Sequence, residues 1–517
     1  MVRGHTRIVI IGCGVTGAGI ARDLSLRGVE CVVLDASDSA SGASGSNHGL
    51  LHSGARYAVK DPKAAEECSL ESEILKKIAP HCIEDTGGLF VGLPGDDEKY
   101  FSDFEESCSK ENIEFRALDT AYALELEPSL SKKIITAYAL SDATVDPFRL
   151  TLENLEDAKV HGCTFLPYSK VVGFGIHKGR IEKVRFRNLI AGDESEITAD
   201  YIINATGAWA AKVTDLAGIY IPVRCSKGTL IVSASRITGS VVNRLRSPSD
   251  GDIIVPGGTV SIIGTSSSII ENPDSAFPQP SETDYLIEEA SLMVPQFSDT
   301  RFIRAYSGVR PLFDTGDNKE HRCISRGYVL RDHSGDGIDN FATISGGKLT
   351  TYRLMAEKTV DLVCSKLGID AVCQTATKML PDSRKTSWSI PCASAKHYFL
   401  SAKNGGRLLC ECEMISEHIV DEIVDDLLSQ GREPTLNEIA LRSRVGKGPC
   451  QGCGCSSRIA AYLHERGIYK GRDGIRQIKS MTQSRWKGLR PVICGDAAAQ
   501  LELQESVQMG IFGIERQ

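Results

Sequence analysis

The chain begins with an apolar pattern that changes period twice. Residues 7–11, RIVII, form a short continuous apolar block of the kind a buried strand shows. From Val15 the apolar residues fall at helical spacing, with Ile20, Leu24 and Leu26 on one side, until Gly28. A second apolar block, Cys31–Leu34, ends at Asp35. Strand, helix and strand within about thirty residues predict a βαβ unit.

Similar devices recur downstream. DPKAAEECSLESEILKKIA starts a helix with Asp61 as N-cap and Pro62 in the first turn, and VDPFRLTLENLEDAKVHG repeats this with Asp146 and Pro147 and stops at Gly162. VVGFGI-HKGR-IEKVRFRN alternates as a hairpin does, and GTLIVS, GDIIVP and VSIIGTS are strand-like pieces suited to an antiparallel sheet. ADYIINATGAWA, residues 199–210, and DNFATISGGKLTTYRLMAE, residues 339–357, each read as a strand running into glycine; in the second a helix over 352–366 follows. Pieces of the first domain are thus far apart in sequence, with a second domain inserted. The expected division is a nucleotide domain over 1–80, 146–220 and 331–379, and a substrate domain over 81–145 and 221–330.

Residues 380–407 are rich in Ser, Lys, Pro and Gly and read as a linker. Beyond it, 408–480 reads as a small helical domain followed by a tail, 481–517. ISEHIVDEIVDDLLSQG places Ile419, Ile423, Leu427 and Leu428 on one face. TLNEIALRSRVG opens on a Thr435–Glu438 capping box, and SSRIAAYLHERG forms a third helix. No internal repeat is visible. The fold class expected is α/β: a Rossmann-like domain, an antiparallel substrate domain and a helical C-terminal domain carrying cysteines.

Composition narrows the function classes. With 59 basic against 67 acidic residues the net charge is −8, which argues against nucleic acid as a general partner. The apolar start is broken by glycines and runs into a charged helix, so it is not read as a signal peptide. No run of about 20 apolar residues suggests a membrane span.

The first turn carries Gly12-x-Gly14-x-x-Gly17. Gly12 permits the tight turn, Gly14 lets the backbone approach a pyrophosphate, and Gly17 lets the helix pack against the strands. The helix N-terminus attracts the phosphates, and Asp35 is placed to accept hydrogen bonds from a ribose. Dinucleotide binding follows. The strand ending in Ala205-Thr206-Gly207 and the junction at Gly346-Gly347 favour a flavin, because backbone N–H groups at a helix N-terminus suit a ring that gains negative charge.

Five of the 17 cysteines crowd the C-terminal part: Cys410 and Cys412 in CEC, and Cys450, Cys453 and Cys455 in GPCQGCGC. Most others, such as Cys31 and Cys364, stand singly in apolar surroundings and read as buried small hydrophobes. In a reducing, cytoplasmic setting the cluster reads as a metal or redox site before a disulfide. Zinc and a [2Fe–2S] cluster take the same four-thiolate set.

SNHGLLHSGARYAVKDP from residue 46, TVDPFRLT, RAYSGVRPL and SGGKLTTYRLMAE, together with the N-terminal fingerprint, resemble the FAD-dependent glycerol-3-phosphate dehydrogenases. CEC…RVGKGPCQGCGC and RWKGLRP narrow the resemblance to the catalytic subunits of the anaerobic type. It implies a fold like glutathione reductase and D-amino-acid oxidase. It further implies oxidation of sn-glycerol 3-phosphate to dihydroxyacetone phosphate, and a C-terminal domain like bacterioferritin-associated ferredoxin. Electrons would leave through a partner flavoprotein and a membrane-associated iron–sulfur subunit towards quinone, with the chain itself cytoplasmic or peripheral on the inner face of the cell membrane.

On the matching motifs, FAD would contact Gly12, Gly14, Gly17, Asp35, Ser46, His48, Thr206, Gly207, Gly346, Gly347, Lys348 and Leu349. Arg56, Tyr57, Arg310, Arg326 and Lys348 would bind the phosphorylated substrate, with arginine suited to bidentate phosphate contact. His52, Arg310 and Lys348 would serve catalysis, His52 as base or flavin neighbour. The metal ligands expected are Cys410, Cys412, Cys450 and Cys453, with Cys455 as substitute. The resembling pattern puts four residues between the first two cysteines of the second group, and here only Gln451 and Gly452 separate Cys450 from Cys453. A one-electron relay beside a two-electron flavin, together with the resemblance, favours [2Fe–2S] over zinc. Two other readings stand beside this one: a flavin oxidase or dehydrogenase of another 2-hydroxy or amino acid, and a non-enzymatic electron carrier or redox-regulatory subunit.

Overall fold

The computed structural model describes residues 4–313, 327–401 and 406–513. Arg326 lies outside the described residues.

The N-terminal block forms the strand His5–Ile11. It lies parallel to Cys31–Leu34 on one side and to the distal half of Glu194–Asn204 on the other. Thr164–Leu166 and Phe341–Gly346 extend the parallel run at its two ends, and Tyr328–Asp332 returns antiparallel to the latter. The proximal half of Glu194–Asn204 pairs with the hairpin Ser169–His177/Arg180–Asn188, whose turn residues Lys178 and Gly179 both have positive φ. That is the geometry a two-residue hairpin turn needs to match strand twist.

Helices Val15–Leu26, Pro147–Val160 and Tyr352–Leu367 pack together against this sheet. Their contact is close: a Cβ on Gly19 would stand 2.9 Å from the Tyr352 ring. Arg22 is fully buried there and pairs with Asp157 at 2.7 Å. Asp61 and Asp146 cap their helices by accepting backbone N–H groups.

The second sheet has nine strands among the described residues. Its long members are Val223–Ser233 and Phe302–Phe313, paired antiparallel over most of their length. The sheet stands over the C-terminal ends of the first sheet's parallel strands, so the cavity described below lies between the two.

The C-terminal region differs from its expectation in three respects. The stretch 380–407 holds the short helices Arg384–Ser387 and Ala393–Leu400, and Trp388 joins the core of the following domain. The helix Asp473–Leu489 runs through the expected boundary at 480, and Gly495–Phe512 packs on it, so the expected tail is part of the helical domain. Leu428 is 43% exposed, whereas Val420 and Val424 join Ile419, Ile423 and Leu427 in the core. The face is therefore rotated by about one residue. The Thr435–Glu438 capping box is present. No helix among the described residues is long and apolar enough to cross a membrane.

Candidate functional site

A cavity of about 880 Å³ opens at the ends of the parallel strands, between the two sheets. Gly12, Gly14, Asp35, Ser46, His48, Thr206, Gly207, Gly346, Gly347, Lys348 and Leu349 all line it, as do His52, Tyr57 and Arg310. Gly17 lies beneath the lining and acts on it indirectly.

The narrow end is built from the glycine turn. Gly12 has φ +103°, and a Cβ there would meet the Ala205 carbonyl oxygen at 2.7 Å. A Cβ on Gly17 would stand 1.9 Å from the Gly12 carbonyl oxygen. Helix Val15–Leu26 opens at the cavity, which Gly14, Val15 and Thr16 line, and the Val15 N–H donates to Ser44 Oγ at 2.9 Å. Asp35 is fixed by two backbone donors, Cys13 at 2.6 Å and Ser37 at 2.7 Å. Burial nevertheless pushes its carboxyl up to about 6, outweighing those bonds. Backbone donors at a helix end, an oriented acid and an extended cavity fit a dinucleotide of FAD size. Ser44 was missed in the sequence; the signal is the small-residue run ASGASGS over 40–46, shortly after Asp35.

The wide end carries the polar chemistry. His52 is 7% exposed, and its Nε2 lies 3.4 Å from the Tyr57 hydroxyl. Lys348 Nζ sits 4.4 Å from the Tyr57 ring centre. Arg310, on the strand Phe302–Phe313, donates to the Thr265 hydroxyl and to the Ser266 carbonyl. Arg56 is absent from the cavity lining: it pairs with buried Asp252 at 3.0 Å, so here it is placed as a structural ion pair. Its charge still reaches both histidines. Burial, then His48, Lys348 and Arg56, hold His52 well below its ordinary value. Burial, then Arg310 and Arg56, hold His48 down at about 3. Both imidazoles are neutral at pH 7. The Leu50 N–H donates to His48 Nδ1 at 3.2 Å, which makes that nitrogen the acceptor.

Beyond the Gly346-Gly347 junction the helix Tyr352–Leu367 agrees with the expected 352–366. Both glycines have positive φ, and a turn over Lys348–Thr351 intervenes before the helix starts at Tyr352. That turn is what brings the Lys348 and Leu349 backbone to the cavity.

The thiols gather at a second place. Cys410 and Cys412 Sγ are 3.7 Å apart and Cys412 and Cys450 3.6 Å, and Cys455 interacts electrostatically with both Cys410 and Cys450. Cys453 is outside this ring and accepts a hydrogen bond from Gln504 instead. The expected pairing of Cys450 with Cys453 is thus replaced by Cys450 with Cys455. The cause is local: Gln451 and Gly452 both have positive φ, which turns Cys453 away, while Cys455 opens the helix Cys455–Glu465 on its buried side. The thiol loop reaches the substrate sheet through Gln451, whose Oε1 accepts from Arg304 Nη1 at 3.2 Å. Arg304 and Arg310 share one strand.

Residues 7–353 match the model of the FAD dependent oxidoreductase family. The subunit designated A of the anaerobic glycerol-3-phosphate dehydrogenase of Escherichia coli is 40% identical, with 99% of this chain and 97% of the relative covered. The subunit designated A1 of the Haloferax volcanii enzyme is 37% identical over 96% of this chain and 89% of its own. Among solved structures, the FAD-complexed glycerol-3-phosphate dehydrogenase of Bacillus halodurans superposes with a TM-score of 0.65, covering 96% of this chain and 97% of that one at 22% identity. The chain belongs to the FAD-dependent oxidoreductases and, within them, to the family of anaerobic glycerol-3-phosphate dehydrogenase subunits designated A.

Proposed function

We propose that this chain oxidises sn-glycerol 3-phosphate to dihydroxyacetone phosphate at the wide end of the cavity. The observation that carries the reading is the pairing of two cations, Arg310 and Lys348, with two neutral groups, His52 and Tyr57, on one wall. Arg310 and Lys348 bind the phosphate dianion and fix the carbinol carbon relative to the cavity. FAD, held by the glycine turn and Asp35, supplies the hydride acceptor. His52 takes the proton from the substrate hydroxyl at Nε2, and Tyr57 keeps that nitrogen oriented.

The phosphate also prepares the base. Burial first, then His48, Lys348 and Arg56, depress His52. A dianion beside Lys348 offsets that charge, so His52 becomes more basic when substrate is present. Burial of the site excludes water from the reacting atoms.

For the thiol ring we favour a [2Fe–2S] cluster held by Cys410, Cys412, Cys450 and Cys455, because a hydride acceptor needs a one-electron outlet towards quinone. A partner flavoprotein and a membrane-associated iron–sulfur subunit would receive those electrons; the relatives carry lettered subunit designations, which supports the presence of other subunits. Zinc, which also takes four thiolates, is the second reading. The Cys410–Cys412 and Cys412–Cys450 separations of 3.7 and 3.6 Å suit neighbouring ligands of either group.

Two measurements test these readings. Anaerobic bleaching of flavin absorbance should occur with glycerol 3-phosphate and not with 2-hydroxyglutarate or sarcosine; bleaching by the latter two alone would transfer the chain to another substrate class. Iron and acid-labile sulfide analysis, with electron paramagnetic resonance after dithionite, decides the metal. Stoichiometric zinc without iron would end the relay.

A further inference from the structure

Away from the cavity, three side chains converge where the stretch 380–392 leaves the FAD domain. His81 comes from the short turn Pro80–Cys82, Glu153 from helix Pro147–Val160, and Asp382 from the connecting stretch itself. One ligand atom of each lies within 4.8 Å of the others.

Two of these atoms stand out among the described residues. His81 Nε2 and Glu153 Oε2 are buried and have no hydrogen-bond partner, and Glu153 is 0% exposed. A buried polar atom without a partner is costly, and both of these residues belong to the one cluster.

The other atoms of the same groups are tied down. Glu153 Oε1 accepts from the Ser383 N–H at 2.8 Å and from the Thr386 hydroxyl. Asp382 Oδ1 accepts from Arg149 Nη2 at 2.5 Å, and Arg149 also donates to the His81 carbonyl. Both carboxylates are therefore oriented by neighbours, as metal ligands usually are. Two carboxylates against one guanidinium leave the group one negative charge.

We propose that His81, Glu153 and Asp382 bind a divalent first-row metal ion, zinc best of all, and that the ion pins the connecting stretch to the FAD domain. One imidazole nitrogen and two carboxylate oxygens are a zinc-type donor set, and the exposed Asp382 side leaves room for a water as fourth ligand. Calcium and magnesium suit it poorly, since they need more oxygen donors. The site is separate from the thiol ring and does not depend on what the ring holds.

The test uses the full chain, because the thiols also take zinc. Wild type, His81→Gln and Asp382→Asn are equilibrated with zinc chloride, desalted and analysed for metal. The thiol contribution is common to all three, so wild type should carry one more equivalent than either variant. Zinc should raise the melting temperature of wild type by more than that of Asp382→Asn, since the thiol contribution is shared and only the second site is lost. The Asp382 side chain is 62% exposed, so this variant keeps the fold even if His81→Gln does not. Cobalt substitution should lose a nitrogen- and oxygen-ligated visible band in the variants with thiolate charge transfer retained. Equal zinc content and equal zinc-dependent melting shifts in wild type and Asp382→Asn would overturn the proposal.

Discussion

Asp38 joins the two ends of the chain. It sits three residues after Asp35, at the start of the loop that lines the narrow end of the cavity, and it is 8% exposed. Arg442 Nη1 reaches it at 2.6 Å and Arg432 Nη2 at 3.0 Å, both from the C-terminal domain, and Glu438 balances Arg432. Burial alone would raise the Asp38 carboxyl; Arg442 and Arg432 overcome it and hold the group at about 2, below its ordinary 3.8. A depression of that size corresponds to about 2–3 kcal/mol of folding stability. Since the folded value is the lower one, this contribution is present above about pH 4 and lost as the pH falls towards 2. Asp38→Asn should cost somewhat more, about 3–5 kcal/mol, because it leaves the Arg442 guanidinium buried without its counter-charge, while Arg432 keeps Glu438. The loop between Asp35 and Ser46 then loses its support, and FAD should be released earlier on heating. At about 2–4 °C per kcal/mol for a domain of this size, the release temperature should fall by roughly 6–20 °C. The assay is flavin fluorescence during a thermal ramp, since freed FAD brightens. Arg442→Met in the Asp38→Asn background should recover part of the loss by removing the unpaired charge. An unchanged release temperature in Asp38→Asn would refute the coupling between the C-terminal domain and the FAD loop.

Four further outcomes are expected. Arg310→Ala should raise KM for glycerol 3-phosphate by roughly 10- to 150-fold, the equivalent of one charged hydrogen bond of about 1.5–3 kcal/mol; unchanged kcat/KM would remove Arg310 from the site. Gly17→Ala should yield protein without bound FAD, because its Cβ would stand 1.9 Å from the Gly12 carbonyl oxygen; normal flavin content would show that the turn can yield. FAD affinity should weaken as the pH falls through about 6, where Asp35 gains its proton and stops accepting from the ribose. The sign follows from a raised carboxyl: its protonated form favours the ligand-free fold at acid pH, and that advantage disappears as the pH rises through 6. Titration of FAD binding from pH 5 to 8 should show the step in wild type and a flat response in Asp35→Asn. Cys455→Ser should abolish metal retention at the thiol ring and Cys453→Ser should keep it, read by metal analysis; the reverse result would restore the pairing of Cys450 with Cys453.

The flavin half of the molecule was legible because its constraints are local. Gly12, Gly14, Gly17 and Asp35 lie within one βαβ unit, and each answers to a backbone requirement that sequence spacing expresses directly. The wide end was less legible. The short stretch SNHGLLHSGARY carries both Tyr57, which lines the cavity, and Arg56, which turns to Asp252 nearly two hundred residues away. Adjacent residues in a turn point to different sides, and only the partner's position decides which. Asp38 was invisible for the same reason: its meaning depends on Arg432 and Arg442, far along the chain. His81, Glu153 and Asp382 likewise come from three separate segments with no motif between them.

The thiol register shows how a short motif can mislead. Cys450-x-x-Cys453 has the spacing of many metal sites, and a two-residue gap in an ordinary turn would aim both thiols at one metal. Here Gln451 and Gly452 are left-handed. The chain reverses within that gap, and Gln504 from the last helix holds Cys453 on the far side. Arg485 fixes the same loop by donating to the Cys450 carbonyl at 3.1 Å and to Gln504 Oε1 at 2.9 Å. The loop's direction therefore depends on helices Asp473–Leu489 and Gly495–Phe512, which read from the sequence as the end of a domain and a tail. Removing residues beyond 480 would take away both Arg485 and Gln504. The ligand set of the thiol ring is accordingly a property of the whole C-terminal domain, and no reading confined to residues 448–455 could have chosen Cys455.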